Sequence, residues 1–194
     1  MKIVFATHNP NKVREINEML QGAFEIIGLE EIGCTKEIPE TQKTIQGNAL
    51  QKARHVKRNF KADCFAEDTG LEVDALHGEP GVVTARYAGL QRDANANMAK
   101  VLGKLMGQKD RGAQFRTVIA LTLEGKEYTF EGIARGQIAM EKKGEQGFGY
   151  DPIFIPDGYE QTFAELSAEE KNRISHRGKA TEQLKAFLAE YVAK

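Results

Sequence analysis

Cysteine, histidine and long apolar runs are scarce in this sequence, and each shortage excludes a class of protein. Two of the 194 residues are cysteine and four are histidine, with no C-x-x-C and no H-E-x-x-H spacing. Neither a disulfide framework nor a zinc site is therefore expected. No apolar run approaches the roughly 20 residues that cross a bilayer. The opening residues, M-K-I-V-F-A, lead into a polar turn, unlike the apolar stretch of a signal peptide. We expect a cytoplasmic protein without membrane contact.

A surplus of charge of either sign is also missing. The chain has 27 basic and 28 acidic side chains and a formal net charge of -1. Proteins that bind nucleic-acid polymers usually carry a clustered excess of lysine and arginine. We therefore expect no nucleic-acid polymer as a partner.

The sequence lacks low-complexity segments, internal repeats and linkers rich in proline, glycine or serine. A chain of this length can bury roughly 70% of the surface that it exposes when unfolded. We therefore expect residues 1–194 to form a single domain that needs neither disulfides nor a metal to hold its core.

Apolar spacing along the chain alternates between strand and helix patterns. Residues 2–7 are apolar and β-prone, and Asn9-Pro10 supplies an N-cap followed by proline at the first helical position. Four more helices are predicted to begin near Ile45, Asp93, Ser167 and Ser175. Residues 114–123 alternate, turn at Glu124-Gly125 and continue over residues 128–137 as a long hairpin. These elements predict a mixed α/β sheet.

An acidic turn is predicted where a buried strand ends. Residues 63–66, D-C-F-A, suggest a short strand, and E-D-T-G follows at residues 67–70. Two carboxylates and a hydroxyl at such a rim could hold Mg²⁺, which proteins bind through one or two carboxylates together with substrate phosphates. A hairpin turn would use the same residues for backbone geometry. Aspartic peptidases also contain Asp-Thr-Gly, but their mechanism needs a second such carboxylate. This chain has no second Asp-Thr-Gly, although a dimer could supply one.

The polar turn after the first strand is a candidate anion-binding loop. It reads T-H-N-P-N-K and consists of Thr7, His8, Asn9, Pro10, Asn11 and Lys12. Free backbone amides, the helix dipole and the lysine could converge there on a phosphate. The glycines of a Walker A loop are absent. An ordinary polar turn with a surface lysine is the structural alternative.

Two blocks in the C-terminal half suggest a pocket for a base. G-F-G-Y-D-P at residues 147–152 combines flexible backbone, two aromatic rings and an acid. Aromatic faces stack on bases, and a carboxylate can accept from a ring N–H. S-H-R-G at residues 175–178 opens the last predicted helix. A glycine-rich turn and an ordinary helix start are the alternatives, and Lys52 and Lys171 alone would be interpreted as solvated helix lysines.

The order of these blocks is more specific than any one of them. Together they read T-H-N-P-N-K, E-T-Q-K-T-I-Q-G-N-A-L-Q-K-A, F-A-E-D-T-G-L-E-V-D-A-L, G-x-x-x-A-R-Y-A-G, G-F-G-Y-D-P-I-F and A-E-L-S-A-E-E-K-N-R-I-S-H-R-G-K-A. In this order they closely resemble the inosine triphosphate pyrophosphatase family, also called Ham1-like, over nearly the whole chain. The resemblance implies an α/β fold with an elongated mixed β-sheet flanked by helices, two lobes and a central cleft.

The resemblance also implies an activity, which is hydrolysis of non-canonical purine nucleoside triphosphates such as ITP, dITP and XTP. The products would be the nucleoside monophosphate and pyrophosphate, and the reaction would remove deaminated purines from the nucleotide pool. The cofactor would be Mg²⁺, and the protein would assemble as a homodimer. By motif, Glu40 and Asp68 would hold the metal, and Asp68 would accept the proton. The substrate-binding residues would be Thr7, His8, Asn9, Pro10, Asn11, Lys12, Lys52, Thr69, Phe148, Gly149, Tyr150, Asp151, Lys171, His176 and Arg177.

Four positions depart from the family pattern. His8 stands where many relatives have glycine, and Thr69 where serine is usual. Gly47 and Pro39 replace frequent acids, which leaves Glu40 as the only acid of that segment to which a metal role is carried over.

These residue types suit the implied chemistry. Attack of water on the α-phosphorus needs cations on the charged oxygens and one carboxylate base, and it needs no covalent nucleophile. Hypoxanthine and xanthine present an acceptor, O6, to which Arg177 could donate, and a donor, N1–H, from which Asp151 could accept. Adenine has an amino group at C6 and no hydrogen on N1, so it would leave both protein groups without a partner. Rejection of guanine does not follow from this argument. A catalytically silent nucleotide-binding module and a Maf-like pyrophosphatase are the alternatives.

Overall fold

The computed structural model describes residues 2–8, 12–14, 16–17 and 24–193. Within these residues six strands form one sheet, and they are β1 (Lys2–Phe5), β2 (Glu25–Ile27), β3 (Cys64–Val73), β4 (Gly112–Leu123), β5 (Lys126–Ile138) and β6 (Phe154–Pro156). The strand order is β2-β1-β3-β4-β5-β6. Strand β1 pairs in parallel with β2 and β3, whereas β5 and β6 are antiparallel. The predicted mixed sheet is confirmed.

Four helices have both ends within the described residues, and they are α1 (Ile45–Phe60), α2 (Ala94–Lys104), α3 (Ala168–Ile174) and α4 (His176–Val192). Residues 12–14 and 16–17 are also helical, where the sequence predicts the first helix, whereas its proposed cap, Asn9-Pro10, lies outside the described residues. No helix in the described part of the chain is both long and apolar enough to cross a membrane.

Side-chain caps fix where the first three of these helices begin. In each case a side-chain oxygen accepts a hydrogen bond from the backbone N–H three residues later, which satisfies one of the free amides of the first turn. The bonds join Thr44 to Gly47 (2.9 Å), Asp93 to Ala96 (2.8 Å) and Ser167 to Glu170 (3.2 Å). Helix starts at Ile45, Asp93 and Ser167 are therefore confirmed.

Strands β4 and β5 form the predicted hairpin. The turn residues Glu124 and Gly125 have φ values of 49° and 80°, and a tight type I′ hairpin turn requires positive φ at both central positions. Along β4, the predicted apolar face is buried from Phe115 to Leu123. The intervening residues from Val118 to Thr122 are buried as well, so this half of β4 is covered on both faces.

The acidic block E-D-T-G lies inside β3 and not at its end. The sequence predicts a strand over residues 63–66 and a turn over residues 67–70, and this prediction is wrong. Strand β3 extends over Cys64–Val73, and Leu71 and Val73 are fully buried beyond the block. The chain therefore does not turn after residue 66, and the continued strand places these two apolar side chains in the core. The hairpin-turn alternative is excluded as well.

The chain divides into two compact units. The first comprises Met1–Asp68, Val118–Glu131 and Ala180–Lys194, and the second comprises Thr69–Thr117 and Gly132–Lys179. Each has its own apolar core. In the first, the Phe5 and Phe65 rings stack with centroids 4.5 Å apart, and in the second Phe115 packs edge-on against Phe154 at 4.7 Å. The central cleft and the single domain over residues 1–194 stay predictions.

Candidate active site

Two carboxylates and a lysine meet in the first unit. Asp68 is on β3, Lys52 is on α1, and Glu40 precedes that helix. Lys52 Nζ lies 2.6 Å from Glu40 Oε1 and 3.5 Å from Asp68 Oδ1. The side chain of Lys52 is only 12% exposed, so its interpretation as a solvated helix lysine is wrong. The structure thus brings together three residues that the sequence places in one site.

Burial leaves Asp68 a carboxylate whose charge its neighbours compensate only in part. Desolvation raises the pKa of Asp68 above its usual value of 3.8, and the nearby Glu40 adds to the rise. Lys52 and a hydrogen bond from Asn48 oppose the rise without cancelling it. The second oxygen, Oδ2, is buried and has no hydrogen-bond partner among the described residues. A carboxylate in this state gains free energy from a proton or a cation, which is the requirement of a general base and of a metal ligand.

The donor atoms suit a hard cation that shares its ligands with a substrate. Glu40 and Asp68 offer carboxylate oxygens, and Asp68 Oδ2 is a buried acceptor with no partner within the described residues. Where the chain is described, no group of three or more His, Cys, Asp or Glu side chains is placed to hold a metal ion. Mg²⁺ needs no such cage, because it is usually bound by one or two carboxylates plus substrate phosphates and waters. The residues present therefore fit Mg²⁺.

Lys12 neutralises a second buried acid of the same block. Its Nζ lies 2.7 Å from Glu67 Oε1, and the Glu67 side chain is only 3% exposed. A buried carboxylate needs such a partner, because an isolated charge is costly to remove from water. Lys12 is therefore not the surface lysine of an ordinary turn.

The rest of the predicted anion-binding loop is described only at its start. His8 is exposed, and its Nε2 lies 3.2 Å from the carbonyl oxygen of Lys36. The Thr7 carbonyl accepts a hydrogen bond from Leu29 N–H at 3.2 Å. Asn9, Pro10 and Asn11 lie outside the described residues, so convergence of the loop amides on a phosphate stays a prediction.

A buried ion pair organises the glycine-rich block in the second unit. Lys171 Nζ lies 2.5 Å from Asp151 Oδ2, and Phe148 N–H donates to the same oxygen at 2.8 Å. The Asp151 side chain is only 5% exposed and that of Lys171 15%. Both of these contacts go to Oδ2 of the Asp151 carboxylate. Lys171, like Lys52, is not a solvated helix lysine.

The two aromatic rings of this block have opposite surroundings. Phe148 is 55% exposed, with Lys171 Nζ 4.9 Å and Arg177 Cζ 5.2 Å from its ring centroid. An exposed ring beside two cations is a suitable platform for stacking a base. Tyr150 is buried in the core and donates its hydroxyl to the Thr84 carbonyl at 2.7 Å. Tyr150 is therefore a core residue, as the alternative interpretation of an ordinary glycine-rich turn predicts.

The block S-H-R-G forms a tight junction between α3 and α4. Ser175 Oγ accepts a hydrogen bond from Gly178 N–H at 3.0 Å. A Cβ at Gly178 would lie 1.7 Å from the Asn172 carbonyl oxygen, so only glycine fits. The His176 ring stacks on Phe115 with centroids 4.5 Å apart. The next residue is Arg177, whose Cζ lies beside the Phe148 ring.

Two polar residues near the predicted site were not found from the sequence. Asn48 is buried on α1, where its Oδ1 accepts from Gln42 N–H at 2.9 Å, and it opposes the rise in the pKa of Asp68. Thr117 is buried on β4, with its hydroxyl oxygen 2.6 Å from that of Thr69. The available signal was a polar residue on an otherwise apolar face, which indicates a satisfied buried group but does not identify its partner.

Comparisons with known proteins find similarity over nearly the whole chain. The sequence profile described as the Ham1 family matches residues 3–187. A dITP/XTP pyrophosphatase of Flavobacterium johnsoniae is 57% identical over 184 residues, which cover 95% of this chain and 96% of the relative. A Bacillus subtilis protein of the same name is 47% identical over 189 residues, with 95% and 96% of the two chains covered.

Solved structures share the fold. The Staphylococcus aureus Ham1 protein matches with a TM-score of 0.93 at 39% identity, covering 98% of this chain and 100% of that one. A Mycobacterium abscessus nucleoside-triphosphatase, also named dITP/XTP pyrophosphatase, matches with a TM-score of 0.81 at 43% identity, covering 95% and 98%. The α/β fold with a mixed sheet flanked by helices, implied by the sequence resemblance, is therefore confirmed.

Proposed function

Since this chain belongs to the Ham1 family, we propose that it hydrolyses non-canonical purine nucleoside triphosphates such as ITP, dITP and XTP to the nucleoside monophosphate and pyrophosphate. The observation that carries the proposal is 57% identity, over 95% of the chain, to a protein named dITP/XTP pyrophosphatase. The arrangement of Lys52 between Glu40 and Asp68 supports it, because phosphoanhydride hydrolysis needs a carboxylate base and cations at one place.

Asp68 is the proposed general base. Its Oδ2 has no hydrogen-bond partner among the described residues, so this oxygen is available to accept the proton of the attacking water. The raised pKa of Asp68 makes it a stronger base than an exposed aspartate, and general bases work best when their pKa lies near the working pH. Lys52 orients this carboxylate and adds positive charge where the phosphate oxygens gain negative charge.

Glu40 and Asp68 are also the proposed ligands of Mg²⁺. When bound, the ion would neutralise charge on the phosphate oxygens and stabilise the pyrophosphate leaving group. Lys12 would contribute a second cation from the loop that begins at Thr7 and His8.

The base is proposed to bind at Phe148. The exposed ring offers a stacking face, and the Arg177 guanidinium beside it can donate to O6 of hypoxanthine or xanthine. Asp151 Oδ1 can accept from N1–H, while its Oδ2 is held by Lys171. Adenine, with an amino group at C6 and no hydrogen on N1, would leave both protein groups unpaired, at a cost of about 1–3 kcal/mol each.

We further propose that a single domain of residues 1–194 acts in the cytoplasm as a homodimer. The family resemblance supports both the domain and the dimer. Two free cysteines, both buried, suit a reducing compartment.

A substrate panel tests the activity. Purified protein is incubated with Mg²⁺ and ITP, dITP, XTP, GTP or ATP, and both pyrophosphate and monophosphate are quantified, with a matched reaction in EDTA. We expect equal amounts of the two products from ITP, dITP and XTP, and no turnover in EDTA. A nucleoside diphosphate with orthophosphate as products would overturn the reaction class. Preference for GTP or ATP would overturn the specificity, and tight binding without hydrolysis would favour a nucleotide-binding module.

A further inference from the structure

Two threonine hydroxyls of the second unit form a short hydrogen bond. Thr69 is on β3 and Thr117 is on the neighbouring strand β4, with 2.6 Å between their Oγ1 atoms. Thr117 is completely buried, whereas Thr69 is partly exposed. Distance alone does not tell which hydroxyl donates, because each has one hydrogen and two lone pairs.

The surroundings of Thr117 determine the direction of this bond. Within the described residues its hydroxyl contacts no polar partner except Thr69. If Thr117 accepted the bond, its own hydrogen would be buried without an acceptor, which is an unfavourable state. If Thr117 donates, its hydrogen is satisfied and Thr69 becomes the acceptor. The hydrogen of Thr69 is then directed away from Thr117.

We propose that Thr117 is a positioning residue that holds Thr69 as a hydrogen-bond donor to an anionic oxygen of the substrate's triphosphate. This inference rests on the proposed function, in which Thr69 follows the base Asp68 and binds substrate. A phosphate oxygen can only accept a hydrogen bond, so Thr69 helps it only as a donor. A hydroxyl that accepts one hydrogen bond also donates a stronger one, because the two bonds polarise each other.

The proposal also gives a reason for threonine at position 69. A threonine in a strand has few favourable χ1 rotamers because its Cβ is branched. With the methyl group fixed by the strand, Oγ1 stays directed at Thr117, whereas a serine hydroxyl could rotate among three rotamers. Thr69 and Thr117 therefore act as a pair across neighbouring strands.

Kinetic constants of hydroxyl-deletion variants test the pair. Thr117→Val removes the hydroxyl at nearly constant volume, and we expect kcat/KM for ITP to fall roughly tenfold, the loss of about one hydrogen bond to a charged group. Thr117→Ser restores the hydroxyl and should recover activity to within about twofold. In a Thr69→Val background, Thr117→Val should cause no further loss.

Thr122→Val is the matched control. Thr122 is a second buried threonine of β4, and its hydroxyl contacts Cys64 in the first unit, not Thr69. We expect kcat/KM to be unchanged in this variant. The proposal would be overturned if Thr117→Val kept the kcat/KM of the wild type. It would also be overturned if Thr122→Val lost as much kcat/KM as Thr117→Val. If the valine variant does not fold, Thr117→Ala is measured in the same way.

Binding measurements separate phosphate contact from base contact and do not depend on turnover. Calorimetric titration with tripolyphosphate should show binding weakened roughly tenfold by Thr117→Val, while inosine binds equally to both proteins. Weaker inosine binding with unchanged tripolyphosphate binding would overturn the phosphate assignment. A wild-type protein that hydrolyses no nucleotide would refute the proposed function, and the tripolyphosphate titration would still test the threonine pair.

Discussion

Lys171 Nζ lies 2.5 Å from Asp151 Oδ2, and these two charges share a largely buried position with side chains 15% and 5% exposed. Removing one partner of a buried ion pair leaves the other charge uncompensated, which costs about 3 kcal/mol. We therefore predict that Lys171→Met lowers the free energy of unfolding by about that amount, as measured by urea denaturation. In an Asp151→Asn background the same change should cost much less, because no charge remains to be left behind. Equal costs in both backgrounds would show that the pair is not coupled.

Asp68→Asn should lower activity and raise stability. The amide cannot accept the proton of the attacking water, so we predict that kcat falls by roughly a hundredfold or more. The same substitution removes a carboxylate whose pKa is raised by burial, and such active-site charges lower the stability of the fold. Thermal unfolding at pH 7 in EDTA should give a higher melting temperature for the variant. A lower melting temperature would contradict the desolvation argument.

The stability difference between Asp68→Asn and the wild type should depend on pH in a defined direction. Because the pKa of Asp68 is higher in the folded state than its ordinary value of 3.8, the folded protein binds the proton first as pH falls. The contribution of the Asp68 carboxyl group to the free energy of unfolding is therefore fully present below pH 3.8. It is lost as the pH rises through the raised pKa of the folded state. The advantage of the variant should be small in acid and largest near neutral pH. Urea denaturation across this range, without metal, measures it.

Gly178→Ala should disrupt the junction between α3 and α4. The new Cβ would lie 1.7 Å from the Asn172 carbonyl oxygen, and backbone must move to relieve this contact. We predict a loss of more than about 2 kcal/mol in the free energy of unfolding and a higher KM for ITP, because Arg177 shifts with the backbone. Gly103→Ala is the matched control in α2, where a Cβ meets nothing within 4 Å. It should stabilise by roughly 0.5–1 kcal/mol, and a similar loss in both variants would contradict the steric explanation.

Gly147→Ala should displace Asp151. Gly147 has a φ of 75°, and a Cβ there would lie 2.1 Å from Asp151 Oδ2. The substitution therefore has two costs. One is backbone strain of about 1 kcal/mol, and the other is a steric conflict with Asp151 at the ion pair. Gly158→Ala, at a φ of 82° with nothing within 4 Å, carries the strain alone. We predict that only Gly147→Ala raises KM for ITP, as measured by steady-state kinetics.

Local interactions made much of the fold predictable. Helix starts at Thr44, Asp93 and Ser167 depend on hydrogen bonds between residues three apart, and the β4–β5 turn depends on two adjacent residues. Sequence windows contain all of this information. The end of β3 was predicted wrongly. The strand continues through Leu71 and Val73, which pack in a core formed by distant parts of the second unit.

Some features of the candidate site also follow from the sequence, and others depend on the tertiary structure. By itself the sequence determined the order of its motifs, which is sufficient to indicate the Ham1 family and to suggest Asp68, Glu40 and Lys52. Only the tertiary structure decided that Asp68 keeps a buried oxygen without a partner among the described residues, and that Thr69 meets a hydroxyl 48 positions away. Burial and the satisfaction of polar groups depend on residues far apart in the chain, and no local pattern records them.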